Sequence, residues 1–262
     1  YSTWKSFRSS ERGVLLGTRT ALLAIDASIT TIFFLRAADK NYKQSARNPR
    51  YDARELVWQF QKQFTSNLFL LDASPSCSAM VRFSEMERLM YNTYPEIQIL
   101  NVNQEQPASS LHLFHYTTAQ AIQQALSQGK QVLCLYQKKT KAKALKELST
   151  LFPSKQIALI DKEHPQASQA DILLVTIFYY ETIFDPFKKS SLGLVVQLNA
   201  DMPLYGDSPT ATEDLFRENW QWAWLAFGSR VPYLIQTESS DLLTQAMEHS
   251  PVIMEEELNA RR

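Results

Sequence analysis

The sequence predicts an α/β protein built on a mostly parallel, doubly wound sheet, and three observations carry that expectation. Short β-branched or apolar runs recur along the chain, separated by segments of helical period. Strand and helix signals alternate, as they do when parallel strands are joined by helical crossovers. The strand-like runs are near-continuously apolar, the pattern of strands buried on both faces.

Taken in chain order, buried strands are expected at residues 14–16, 31–35, 68–71, 131–136, 156–160, 171–176, 192–198 and 232–236. Helices are expected over 52–63, 117–127, 140–151, 211–226 and 241–249. In the fourth of these, Trp220, Trp222 and Trp224 lie among Leu215, Phe216, Leu225 and Phe227, which favours a helix buried against the sheet over a base-stacking surface. Tyr42 and Tyr51 are likewise read as packing residues. The stretch 80–115 breaks the alternation with Tyr94-Pro95 and a polar run over 101–110, which suits a crossing between two lobes. The expected organisation is a first lobe over 1–80, a crossing over 81–116, a second lobe over 117–237 and a helical tail over 238–262.

The 262 residues are 45% hydrophobic, enough for one large core or two moderate ones. Lysine plus arginine equals aspartate plus glutamate at 27 each, so any nucleic acid would have to be held by local patches. The strongest such cluster is Lys138, Lys139, Lys141, Lys143 and Lys146, read here as the solvated face of a helix in preference to a phosphate-binding surface. Cys77 and Cys134 have no second cysteine or histidine at zinc-finger spacing, which argues against a disulfide scaffold and a structural zinc. His112 and His115 form an HxxH pair with no ligand-type neighbour in sequence, so a surface or loop position is expected and no metal is predicted. The longest apolar run, 172–180, is too short to span a bilayer, and a cytoplasmic chain is expected. Tyr1 stands first and no charged-then-apolar leader follows, so the chain reads as a segment of something longer or as an incomplete sequence.

A set of short blocks in fixed order gives a sharper reading. Gly17-Thr18-Arg19-Thr20-Ala21 is similar to a GTRSA motif, and Tyr42-Lys43-Gln44 and Pro49-Arg50-Tyr51-Asp52-Ala53-Arg54-Glu55 follow as counterparts of SYKQ and PRYHARD segments. Asp72-Ala73-Ser74-Pro75-Ser76 is similar to the SATPS motif, residues 148–153 with Ile160-Asp161 to a segment ending in FP before an Ile-Asp pair, and Ala170-Asp171-Ile172-Leu173 to the opening of ADILIGTQM. Leu198-Asn199-Ala200-Asp201, Ile235-Gln236-Thr237 and Glu257-Leu258-Asn259-Ala260-Arg261-Arg262 complete the order as LNAD, IQT and ELxxRR blocks. Together these resemble the primosomal protein N′ family of replication-restart, superfamily II DNA helicases. The resemblance implies RecA-like lobes of P-loop NTPase type, the first incomplete here and the second more complete, with ATP and Mg²⁺ as the family's cofactors.

The departures from the family pattern bear on chemistry. With Tyr42-Lys43-Gln44 as anchor, the family's DEEH motif falls on Leu35, Arg36, Ala37 and Ala38. Holding Mg²⁺ and orienting the attacking water both need a carboxylate, and arginine cannot serve as a base near neutral pH. The family's glycine in the ADILIGTQM-like stretch falls on Val175, and a β-branched residue closes the approach to phosphate that glycine leaves open. The arginine-rich motif VI survives as Ala226-Phe227-Gly228-Ser229-Arg230, with Arg230 as the one arginine left to act as a finger. A cysteine-rich zinc module that the family inserts between positions 137 and 141 is missing, and the six glycines include no GxxxxGK[ST] phosphate loop.

The resemblance therefore implies a degenerate helicase core, a pseudoenzyme that binds DNA or acts as a scaffold in replication restart with no catalytic residues and no cofactor of its own. The alternative is a piece of a longer ATP-dependent DNA helicase whose phosphate loop lies upstream. By the family match, the DNA-binding candidates are Gly17, Thr18, Arg19, Lys43 and Arg54, and the motif remnants are Asp72, Ser74, Thr176 and Arg230. Arg19 could equally touch a phosphate or pair with a surface carboxylate. Forked or single-stranded DNA and replication-restart proteins are the implied partners.

Overall fold

The computed structural model describes residues 6–7, 9, 13–37, 39–44, 50–64, 66–72, 96–136, 138–160, 169–176, 191–205, 210–248 and 259. The chain divides into two compact units, Tyr1–Pro75 and Ser76–Arg262.

In the first unit, β1 (Thr31–Leu35) and β4 (Asn67–Leu71) pair in parallel, and helix α1 (Ala53–Phe64) lies between them in sequence. Two short strands, β2 (Lys43–Gln44) and β3 (Tyr51–Asp52), pair antiparallel ahead of the helix. The run TIFFL is β-branched and aromatic, which favours a pleated strand. Ala53, Val57 and Phe60 recur at helical spacing and bring one face of α1 onto Ile32, Phe34, Leu68 and Leu70. Tyr42 and Tyr51 pack against the same cluster, as expected of them. The opposite sheet face carries Phe33 and Leu35 of β1 in register with Phe69 and Leu71 of β4, all four exposed.

One expected strand is corrected. Residues 14–16 are not extended in a sheet: Val14 is 95% and Leu16 88% exposed, and a 3-10 helix, Arg19–Ala24, follows. Three apolar residues satisfy a strand pattern, but a strand also needs a neighbour for its backbone groups.

The second unit is a six-stranded, all-parallel sheet in the order β5-β10-β9-β6-β8-β7. Its strands are β5 (Ile97–Asn101), β6 (Gln131–Leu135), β7 (Ile157–Ile160), β8 (Ile172–Val175), β9 (Leu192–Gln197) and β10 (Tyr233–Thr237). Its helices are α2 (Tyr116–Ser127), α3 (Lys141–Leu151), α4 (Ala211–Ser229) and α5 (Ser240–Glu248). Strand β5 is a second correction, since its segment was read as part of a crossing; in the structure it forms the sheet edge beside β10. Helix α5, from the expected C-terminal tail, contributes Leu243 and Met247 to the same core.

Alternate residues of each strand enter opposite cores. Val132 and Cys134, Ile172 and Leu174, and Leu194 and Val196 face a layer formed by α2 and α3, with Ile122, Ala144 and Leu148 against them. Leu133 and Leu135, Leu173 and Val175, and Tyr233 and Ile235 face α4 and α5, with Phe216, Trp220, Trp222 and Leu243. Burial on both faces explains the apolar strands, and each fully buried Leu, Ile or Val contributes roughly 1.5–3 kcal/mol relative to exposure. Trp220 and Trp222 are buried in the helix, as the sequence indicates.

The chain winds from β5 towards β7 through α2 and α3 on one face, then returns to β10 through α4 on the other. Crossovers of one hand demand that arrangement when the direction of travel reverses. Strands β6 and β9 are neighbours whose onward connections leave in opposite directions, which puts the topological switch point at their carboxyl ends.

Candidate nucleic-acid interface

In the first unit the structure draws several sequence blocks together. Thr18 precedes the 3-10 helix, its carbonyl accepts from Ala21 N at 2.8 Å, and its hydroxyl lies 3.1 Å from that of Thr20. A side chain added at Gly17 would collide with the Ala21 methyl, so this turn requires the glycine for space. The Arg19 guanidinium donates through Nη1 to the Asn41 carbonyl, tying the GTRT segment to the one that carries Lys43. Arginine has five donors, so this bond leaves others to reach an anion. Lys43 is exposed on β2.

Arg54 is committed elsewhere. Its Nε and Nη2 donate to the two carboxylate oxygens of Asp52 at 2.8 and 2.7 Å, and its side chain is only 13% exposed. Bidentate pairing of this kind fixes the guanidinium plane, and Nη1 also reaches Ala37 O at 3.5 Å. Through these bonds Arg54, a phosphate-contact position expected from sequence, brackets β3 to the end of β1.

The carboxyl end of that sheet is where the resemblance would put hydrolysis. Leu35 is 52% exposed there, and Arg36, at φ 53°, pairs with Asp39 at 3.8 Å. Tyr42 packs against Phe34 with tilted rings, centroids 4.3 Å apart, and donates to Leu35 O at 2.6 Å. Burial, with the nearby Asp39, raises the Tyr42 hydroxyl above its ordinary value, so it remains a neutral donor. Asp72 follows β4 at the same end. Ser74 lies outside the described residues. No group of three or more His, Cys, Asp or Glu suited to a metal ion occurs among the described residues.

In the second unit the two remaining candidates lie at opposite ends of the sheet. Thr176 follows β8 at the carboxyl end, with its hydroxyl buried and without a hydrogen-bond partner. Arg230 caps α4 in the left-handed conformation, φ 56°, just before β10 begins, which puts it at the amino end. Its N–H donates to Phe227 O at 2.9 Å and that of Val231 to Ala226 O at 3.0 Å, closing the helix.

Three polar residues that the sequence reading did not select organise this unit. Asp201, 3% exposed beyond β9, accepts from Thr237 Oγ1, Glu238 N and Ser239 N at 2.5, 2.7 and 3.1 Å. It fixes the turn from β10 into α5, and the LNAD block was its signal. Glu238 in turn accepts from the Tyr205 hydroxyl at 2.7 Å, a bond that holds this tyrosine up to about 12. Glu147, fully buried on α3, accepts from Ser109 Oγ, Leu113 N and Phe114 N at 2.6, 3.0 and 3.2 Å. Gln236 holds the same loop from β10. The HxxH reading is also corrected in part, because His112 is exposed but His115 is 8% exposed at the head of α2, held by the core beneath.

The class defined by these features is an α/β protein consistent with a RecA-like core: six parallel strands with helices on both faces. No protein-family model matches the chain. Among characterised proteins it is similar to the replication restart protein PriA of Bacillus subtilis (strain 168), 20% identical over 147 residues, covering 53% of this chain and 18% of that protein. The chain therefore spans less than a fifth of the relative it matches, and the similarity supports a helicase-related family at most. No helix among the described residues is long and apolar enough to cross a membrane.

Proposed function

We propose that this chain is a DNA-binding or scaffold module related to replication restart that does not itself hydrolyse ATP. The observation that carries this reading is the end of β1, where Leu35 and an Asp39-paired Arg36 stand in place of carboxylates. At these two positions the family pattern's Mg²⁺ ligand and water-orienting group are both replaced, and an arginine adds positive charge where the metal would sit. Arg19 and Lys43 remain as phosphate contacts of the first unit, and forked or single-stranded DNA in the cytoplasm is the expected setting.

A second reading has its own support. The outer face of the β1–β4 pair, with Phe33, Leu35, Phe69 and Leu71 exposed, is what a larger parallel sheet covers with a further layer. On that reading the chain is part of a longer ATP-dependent helicase. Steady-state phosphate release, with and without forked DNA, tests the pair. Absence of turnover is expected, whereas DNA-stimulated turnover that vanishes on removing Mg²⁺ would overturn the first reading.

A further inference from the structure

The lysines of α3 were read from sequence as a solvated face, and the sequence supplies an apparent counter-charge, Glu147, four residues after Lys143. The structure removes it. Glu147 is fully buried, and its carboxylate is occupied by the Ser109 hydroxyl and the Leu113 and Phe114 amides. It is the only acid in α3. Lys139, in the turn leading into the helix, and Lys143 and Lys146 on it are all exposed at successive helical spacings. None of the three forms an ion pair among the described residues. A protein of zero formal net charge thus carries a basic stripe with no paired acid among the described residues, roughly 10 Å long at 1.5 Å of rise per residue.

We propose that this stripe contacts the phosphate backbone of a nucleic acid, an assignment that rests on the DNA-binding reading and gives it a surface in the second unit. The rest of the face favours backbone contact over base recognition. Ala142, Ser149 and Thr150 are its other exposed residues, and the two hydroxyls are turned back onto the carbonyls of Leu145 and Lys146. No aromatic side chain lies on the helix for bases to stack on, and lysine acts as a point charge without planar hydrogen-bond readout. The stripe begins at the amino end of α3, where the helix dipole adds positive potential. That end follows β6 at the switch point of the sheet, the edge at which α/β proteins receive ligands. Binding should be independent of sequence and steep in salt.

The test is fluorescence anisotropy of a labelled duplex oligonucleotide across a salt series. The wild type is compared with K139Q/K143Q/K146Q and with K139R/K143R/K146R, and circular dichroism melts confirm that all three fold alike. The glutamine variant should bind about tenfold more weakly or worse, and its logarithmic salt slope should be shallower by about 2.7, at about 0.9 per phosphate released. The arginine variant should bind like the wild type. Equal affinity and slope in the wild type and the glutamine variant would overturn the stripe while leaving DNA binding by the chain intact. Wild-type protein that binds no duplex, or binds a polyglutamate peptide as tightly, would overturn both the stripe and the DNA-binding reading.

Discussion

The Gln236 side chain bridges the core sheet to the loop ahead of α2: its Oε1 accepts from His115 N at 3.1 Å and its Nε2 donates to Leu113 O at 2.8 Å. Gln236 is 1% exposed on β10, so water cannot replace either bond. Replacing it with leucine keeps the bulk and leaves two buried backbone groups unpaired. Gln236→Leu should cost about 2–4 kcal/mol in urea unfolding. A loss below about 0.5 kcal/mol, no larger than a surface substitution gives, would show that the loop finds other partners.

His115 makes stability depend on pH. Burial lowers its affinity for a proton below the ordinary value of 6.5, against smaller opposing contributions from Glu105 and Glu147, and its Nδ1 is buried without a partner. The unfolded chain therefore takes up the proton first as pH falls. The stability this histidine contributes is full above about 6.5 and is lost progressively below it, towards the lower folded value. Unfolding free energies measured down to the onset of carboxylate protonation should decline more steeply for the wild type than for His115→Asn, which puts a non-titrating residue favoured at helix starts ahead of α2. Parallel profiles would show that His115 titrates alike folded and unfolded.

Arg54 should behave as a structural residue. Arg54→Ala removes both guanidinium bonds to the Asp52 carboxylate, itself 19% exposed, and a donor to Ala37 O. A destabilisation of the first unit by about 1–2 kcal/mol is expected, with the salt dependence of DNA binding unchanged. A shallower salt slope with unchanged stability would return Arg54 to the phosphate contacts.

Cys134 should be inert in the folded protein. Burial within β6 raises its thiol to about 12, so the thiolate is about one part in ten thousand at pH 8 and has no path to a reagent. Iodoacetamide followed by peptide mass analysis should label the Cys134 peptide only under denaturing conditions. Labelling of native protein within minutes would indicate that the sheet opens at β6.

The sequence by itself determined the alternation of strands and helices, because both periods are local properties of neighbouring side chains. The runs that became β1, β4 and β6 to β10, and the helices from α1 to α5, were all legible in that way. Only the tertiary structure decided matters that depend on partners distant in sequence. Residues 14–16 have a strand's composition and no strand to pair with, whereas Ile97–Asn101 is short and flanked by polar residues yet completes an edge beside β10. Arg54 looked like an available cation until Asp52 and Ala37 closed around it. The charge of α3 was settled by the direction in which Glu147 faces: buried amides of a loop more than thirty residues away draw the carboxylate inward, and the lysines outside are left without it.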